Sequence, residues 1–208
     1  MTDLPFASDP NKFHALTDKN AIVFSHDAVK ALATNMTKIA NDVRGLVSGP
    51  RDSIGEITIP ANEPGSFIMR GKVNPAQCKA VAMVAVQVMG NDTAIGIDAS
   101  QGDFELNVFM PVIAYNYLQP VRLLLDAICF FTKHCASGIK ANKQKMHYSL
   151  HRSLIVVTIL SRHIGYEHAA KVVQYAFAHN TSLWKACVSL GYLSEEKFDS
   201  VFKPEEMV

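Results

Sequence analysis

From Ile22 onward the apolar residues of this chain keep a seven-residue spacing that restricts the segment to one kind of structure. Ile22, Val29, Met36 and Val43 share one position of the repeat, and Leu32, Ile39 and Leu46 share the other. Alternating steps of three and four gather these side chains into a narrow stripe along a long helix, packed as in a bundle or coiled coil. Gly49-Pro50 ends it.

Other stretches obey the same logic. Asn74-Pro75 is a helix start, with Asn74 as N-cap and Pro75 at the first helical position. The helix is expected to run to Met89, apolar almost all round and therefore buried on most sides. Gly90 and Gly96 are expected to punctuate the next stretch. Another long helix is expected over roughly 108–137, with Pro120 inside it. A mid-helix proline removes a backbone bond and costs about 3 kcal/mol or forces a kink. Past Gly138 the pattern shortens to helices near 145–161, 168–178, 182–190 and 194–202, with 56–59 as one short extended piece. The fold class is all-α: a long-helix bundle over 1–137, then a small helical C-terminal domain over 138–208. Two or three long helices with apolar faces cannot cover themselves, so assembly with other chains is expected.

Composition removes several functions. A formal net charge of +1 on 208 residues gives no bulk field favouring nucleic acid or an anionic membrane. The longest apolar runs, 81–86 and 154–160, fall short of a membrane span. The first five residues make neither a secretory signal nor an Arg-rich transit peptide, so cytoplasmic or mitochondrial residence is expected. Cys78, Cys129, Cys135 and Cys187 are scattered and read as reduced, mostly buried thiols. His147 and His151 lie one helical turn apart, but without a third ligand nearby they read as a solvated helix face. No metal and no cofactor are expected.

The segment from Gly65 to Pro75 carries the candidate chemistry. Gly65 and Gly71 can take backbone angles closed to other residues, which suits a loop with hinges. Ser66 offers an oxygen nucleophile or base. Lys72 and Asn74 offer a cation and a neutral hydrogen-bonding group, the kit that holds a carboxylate. A Gly/Pro connector whose polar residues face water has the same spacing, and spacing alone does not separate the two.

This segment resembles the signature loop of the fumarase/aspartase superfamily, Gly-Ser-Ser-x-Met-Pro-x-Lys-x-Asn-Pro. The flanks are similar to those of class II fumarate hydratases: Pro10-Asn11-Lys12-Phe13, Asn62-Glu63-Pro64, Gln87-Val88-Met89-Gly90-Asn91-Asp92, Phe104-Glu105-Leu106-Asn107-Val108-Phe109, His163-Ile164-Gly165-Tyr166 and Gly191-Tyr192-Leu193-Ser194. The match runs from about Leu4 to the last residue and covers only the C-terminal part of such an enzyme. An aspartase or other superfamily lyase fits these flanks less well.

The resemblance implies a homotetramer whose central bundle is made of the long helices. It also implies reversible hydration of fumarate to malate, a tricarboxylic acid cycle reaction on a small dicarboxylate. Ser66 matches the residue assigned as catalytic base, and Lys72 and Asn74 match residues that grip a substrate carboxylate. The catalytic histidine of the family belongs to a segment upstream of anything present, and family sites are built from three subunits. Several positions depart from the pattern. Phe67 replaces the second serine, Arg70 replaces the proline, and Lys79 replaces a glutamate that supports the catalytic histidine. An ammonium there disfavours an imidazolium. Asp103 stands where asparagine is usual, and Lys140-Ala141 replaces Glu-Pro. Two outcomes are expected from these features: a fumarate hydratase-like lyase with an altered loop, or an inactive paralogue that assembles with a full-length fumarase.

Overall fold

The computed structural model describes residues 4–49, 53–62 and 73–203. Ser66, Phe67, Arg70 and Lys72 therefore lie outside the described residues. The chain divides into two compact units, Met1–Ala141 and Asn142–Val208.

In the first unit a short helix, α1 (Lys12–Thr17), precedes the long α2 (Asn20–Leu46). A two-residue strand, β1 (Ile57–Thr58), pairs antiparallel with β2 (Lys140–Ala141). Between them run α3 (Ala76–Ser100) and α4 (Met110–His134). The class is all-α, as the periodicity implies. Helix α3 packs on both α2 and α4. Ala33, Ala85, Val88 and Leu124 form their shared core, flanked by Val29, Val84 and Ile128. Small side chains at Ala33 and Ala85 let the helices approach closely, and close packing recovers many weak contacts.

The seam within the chain differs from the stripe that the sequence marks. On α2 the buried positions are His26, Ala33, Ala40 and Val43. Leu32 and Ile39 stay 47% and 45% exposed. The seven-residue spacing is kept, but the positions one step along carry most of the seam; of the apolar stripe, Val29 and Val43 share that side while Leu32 and Ile39 point away.

Helix α3 begins one residue later than expected. Pro75 occupies the cap position with no side-chain cap bond, so Asn74 is not the N-cap. The helix then runs through Gly90 and Gly96 without a break. A helical glycine costs about 1 kcal/mol relative to alanine, which packing on two neighbours offsets. With its glycines included, α3 is 25 residues long, with a mean hydropathy of 1.4 in its most apolar window. Length and composition alone would let it cross a membrane, a possibility that the shorter apolar runs had hidden. Its polar residues nevertheless bond to neighbouring helices. Asp92 accepts from His26 Nδ1 at 2.8 Å and from Lys30 Nζ at 2.6 Å. Burial opposes the charge on Asp92, but Lys30 and His26 outweigh it and hold the carboxyl below its ordinary value.

Pro120 lies within α4 and is fully buried, yet the helix continues past it. Asn91 of α3 donates to the carbonyl of Asn116, the acceptor that Pro120 cannot serve. A turn comes after α3, in which buried Asn107 donates to Asp98 O at 3.0 Å and accepts from Phe109 N at 2.9 Å. Phe104 at its tip has φ +59° and is 93% exposed.

The second unit contains α5 (Lys143–Arg152), α6 (Val157–Ile164), α7 (Tyr166–Ala178), α8 (Leu183–Ser189) and α9 (Glu195–Val201). The single helix expected over 145–161 is two. Ser153 takes an extended backbone, with ψ 131°, and breaks it. Asn142, Ser182 and Ser194 cap α5, α8 and α9 through side-chain oxygens. Val156, Leu160, Val172, Ala186, Cys187 and Phe198 lie at the centre of this unit's core.

Candidate functional site

The described residues on either side of the signature segment are both tied to the C-terminal end of α4. Upstream, β1 pairs with β2 just beyond α4. Pro60 packs against Gly138 closely enough that a Cβ on Gly138 would overlap the proline ring. Asn62 donates its side-chain amide to the carbonyl of His134, the last residue of α4. Downstream, Cys78 in the first turn of α3 is fully buried and in thiol contact with Cys135, the residue that caps α4. Burial, reinforced by Cys135, pushes the Cys78 thiol up to about 12, and burial raises Cys135 as well. Both thiols are therefore protonated packing groups at neutral pH.

Asn74 stands at the entrance to α3, half-buried, with its carbonyl accepting from Ala76 N at 2.9 Å. Its backbone is thus engaged in the helix entry, which leaves the carboxamide as the group able to meet a carboxylate. Lys79 lies in the first turn and is exposed. It makes no ion pair among the described residues, so its ammonium is a solvated charge next to the segment. Gln77, between them, is 2% exposed, and its side-chain nitrogen has no hydrogen-bond partner among the described residues. Of the expected site residues, the structure locates Asn74 and Lys79 near the same helix end. Ser66 and Lys72, with the altered positions Phe67 and Arg70, lie outside the described residues.

Several anchoring groups escaped the sequence reading. Asn62 belongs to one of the family-like blocks, but nothing in its spacing points to His134, seventy-two residues away. Cys78 and Cys135 were expected as buried thiols, and their mutual contact requires the antiparallel return of α4 along α3. No group of three or more metal-ligating side chains occurs among the described residues.

Comparison with known proteins bears on what such a segment does. A family described as "Lyase" matches residues 1–90, and one described as "Fumarase C C-terminus" matches residues 156–208. A class II fumarate hydratase from Helicobacter pylori (strain J99) is 60% identical over 208 residues, all of this chain and 45% of that protein. One from Oceanobacillus iheyensis is 58% identical over 207 residues, again covering 45% of its length. Among solved structures, a class II fumarase from Schistosoma mansoni superimposes with a TM-score of 0.92 at 41% identity, covering 99% of this chain and 43% of that one. The chain thus spans under half the length of the curated relatives it matches.

Proposed function

We propose that this chain, 60% identical to under half the length of a class II fumarate hydratase of the fumarase/aspartase superfamily, supplies the signature-loop part of a fumarase-type hydro-lyase site within an assembly of several chains. In this reading the substrate is a four-carbon dicarboxylate. Lys72 and Asn74 hold one carboxylate, and Ser66 takes the proton from the carbon beside a carboxylate when malate loses water. Hydration of fumarate runs the same steps in reverse. Proton removal creates a doubly charged aci-carboxylate, which needs fixed cations and donors around it. A serine hydroxyl serves as base only where its alkoxide is held by N–H groups away from water. The acid–base partner must come within hydrogen-bonding reach. None of the eight histidines lies in a stretch resembling the family's catalytic motif, so that partner is drawn from residues beyond these.

The observation that carries this reading is the open apolar stripe on α3, the helix that Asn74 leads into. Met83, Val86 and Ile97 are 68%, 69% and 58% exposed on the side opposite the buried seam. A soluble bundle helix with two apolar faces is completed by further helices.

A second reading is an inactive paralogue that joins tetramers of a full-length fumarase. Lys79 favours it, because an exposed ammonium one turn into α3 occupies the place of a carboxylate that supports an imidazolium in the family. Phe67 and Arg70 point the same way.

The test is fumarate hydration by the chain mixed with a full-length class II fumarate hydratase whose own signature-loop serine has been replaced. Turnover that disappears when the chain carries Ser66→Ala supports the first reading. Co-elution without turnover supports the second. Neither turnover nor co-elution removes both.

A further inference from the structure

Between Asp126 and Glu167 the chain contains no acidic residue, while Lys133, Lys140, Lys143, Lys145, Arg152 and Arg162 all fall there. A net charge near zero for the whole molecule conceals this segregation. Within the second unit the segregated charge is concentrated along α5, beside a groove of about 660 Å3. Among the described residues every side chain lining it is neutral or basic: the amides of Asn142 and Gln144, the Tyr148 ring, and Lys145, His147, His151 and Arg152.

Donors and flat rings are interleaved along this face. The His147 and His151 rings stack with centroids 4.0 Å apart. His151 Nδ1 lies 2.9 Å from the carbonyl of His147 and donates to it. Lys145 Nζ and the Arg152 guanidinium lie 5.8 Å and 5.3 Å from the centre of the Tyr148 ring, and Arg152 donates to the Tyr148 hydroxyl. Neither Lys145 nor Arg152 makes an ion pair among the described residues. The two cations are therefore oriented by an aromatic ring, with no carboxylate paired to them among the described residues. Held this way, they lose little freedom on meeting an anion, and their charges add within one screening length.

We propose that this face of α5 binds a small multivalent oxyanion, with Lys145 and Arg152 as the charged contacts and the stacked imidazoles as the flanking wall. The groove lies within the second unit and shares no residue with the signature segment, so binding there does not depend on the lyase reading. A phosphate-bearing ligand and a polycarboxylate share this chemistry.

Isothermal titration of the full chain with pyrophosphate and with citrate, at low and at physiological salt, tests it. The expected result is saturable one-to-one binding of at least one of them, weaker at higher salt. Pyrophosphate alone assigns a phosphate-bearing ligand, citrate alone a polycarboxylate, and both a site that reads charge. Removing one charge-assisted hydrogen bond weakens binding by about tenfold or more, so Lys145→Gln with Arg152→Gln should abolish the signal. His147→Gln should weaken it with both cations retained. The helical circular dichroism of each variant should match the parent. Binding should survive Ser66→Ala with Lys72→Gln. The proposal is overturned by no saturable heat with either anion, by full binding in the Lys145/Arg152 double variant, or by loss of binding in the Ser66/Lys72 variant.

Discussion

Asn91 Nδ2 lies 3.4 Å from the carbonyl oxygen of Asn116, four residues before Pro120, and 3.1 Å from Gln119 Oε1. One buried carboxamide on α3 thereby serves the acceptor orphaned by a proline on α4. Gln87 Nε2 donates to Asn91 Oδ1 at 2.6 Å, and Gln119 Nε2 donates to the Tyr115 hydroxyl at 3.0 Å, so the amides are ordered in one direction. Replacing Asn91 by Leu strands the Asn116 and Gln119 oxygens and should cost about 1–3 kcal/mol. In a Pro120→Ala background, residue 120 regains its N–H and serves Asn116 directly. The same Asn91→Leu change should then cost less, by about 0.5 kcal/mol or more. Urea unfolding of the four chains measures this coupling. Strict additivity would mean that Asn91 does not compensate for the proline.

The Asp92 carboxylate links α2 to α3, and its stability contribution depends on pH. Its folded value is depressed below the ordinary 3.8 by Lys30 and His26 against the cost of burial. The unfolded chain therefore takes up the proton first as pH falls. Stability from this group is full above the ordinary value and is lost as pH falls through the folded one. Asp92→Asn should lower stability at pH 7 by roughly 1–3 kcal/mol and flatten the decline below about pH 5. Chemical unfolding of both chains across that range gives the comparison. Parallel acid curves would assign the decline to other carboxylates.

Gly138 is constrained by a neighbour and not by its own backbone angles. A Cβ there would overlap Pro60 Cγ and sit 2.9 Å from Cδ, and the proline ring, fixed to its own backbone, cannot swing aside. Gly138→Ala should cost about 1–3 kcal/mol, by the logic of overpacking. Pro60→Ala in the same chain should recover part of it. An unchanged melting temperature for Gly138→Ala would mean that Pro60 yields.

Periodicity made the long helices legible, because a spacing of three and four is independent of what the stripe faces. It did not reveal which face packs within the chain. Ala33 and Ala40 carry too little apolar weight to stand out beside Leu32 and Ile39, yet their small size is what admits α3. Gly90 and Gly96 read as breaks because local propensity ignores flanking helices. Pro120 read as a lost backbone bond or a kink, and the donor that serves the freed carbonyl, Asn91, is distant in sequence. At the candidate site, the residue types at Ser66, Lys72 and Asn74 suit a carboxylate and a solvated connector alike, and only the resemblance attached a substrate class to them. The anchoring of Asn62 on His134 and of Cys78 on Cys135 depends on tertiary return and leaves no local signal.

The outward stripe of α3 gives the assembly reading its sharpest consequence. Val86 is 69% exposed, and a Cβ on nearby Gly90 would meet nothing within 4 Å, so neither position is packed against the described residues. Val86→Lys should therefore change the intrinsic stability of the chain by no more than about 0.5 kcal/mol. If other helices cover this stripe, the same change buries an unpaired ammonium at every copy of the interface, at a cost of several kcal/mol each. Light scattering after size exclusion should show the parent as an oligomer and Val86→Lys as a smaller species with unchanged helical circular dichroism. An oligomer of undiminished mass in the variant would move the interface to another face, such as the one bearing Leu32 and Ile39 on α2.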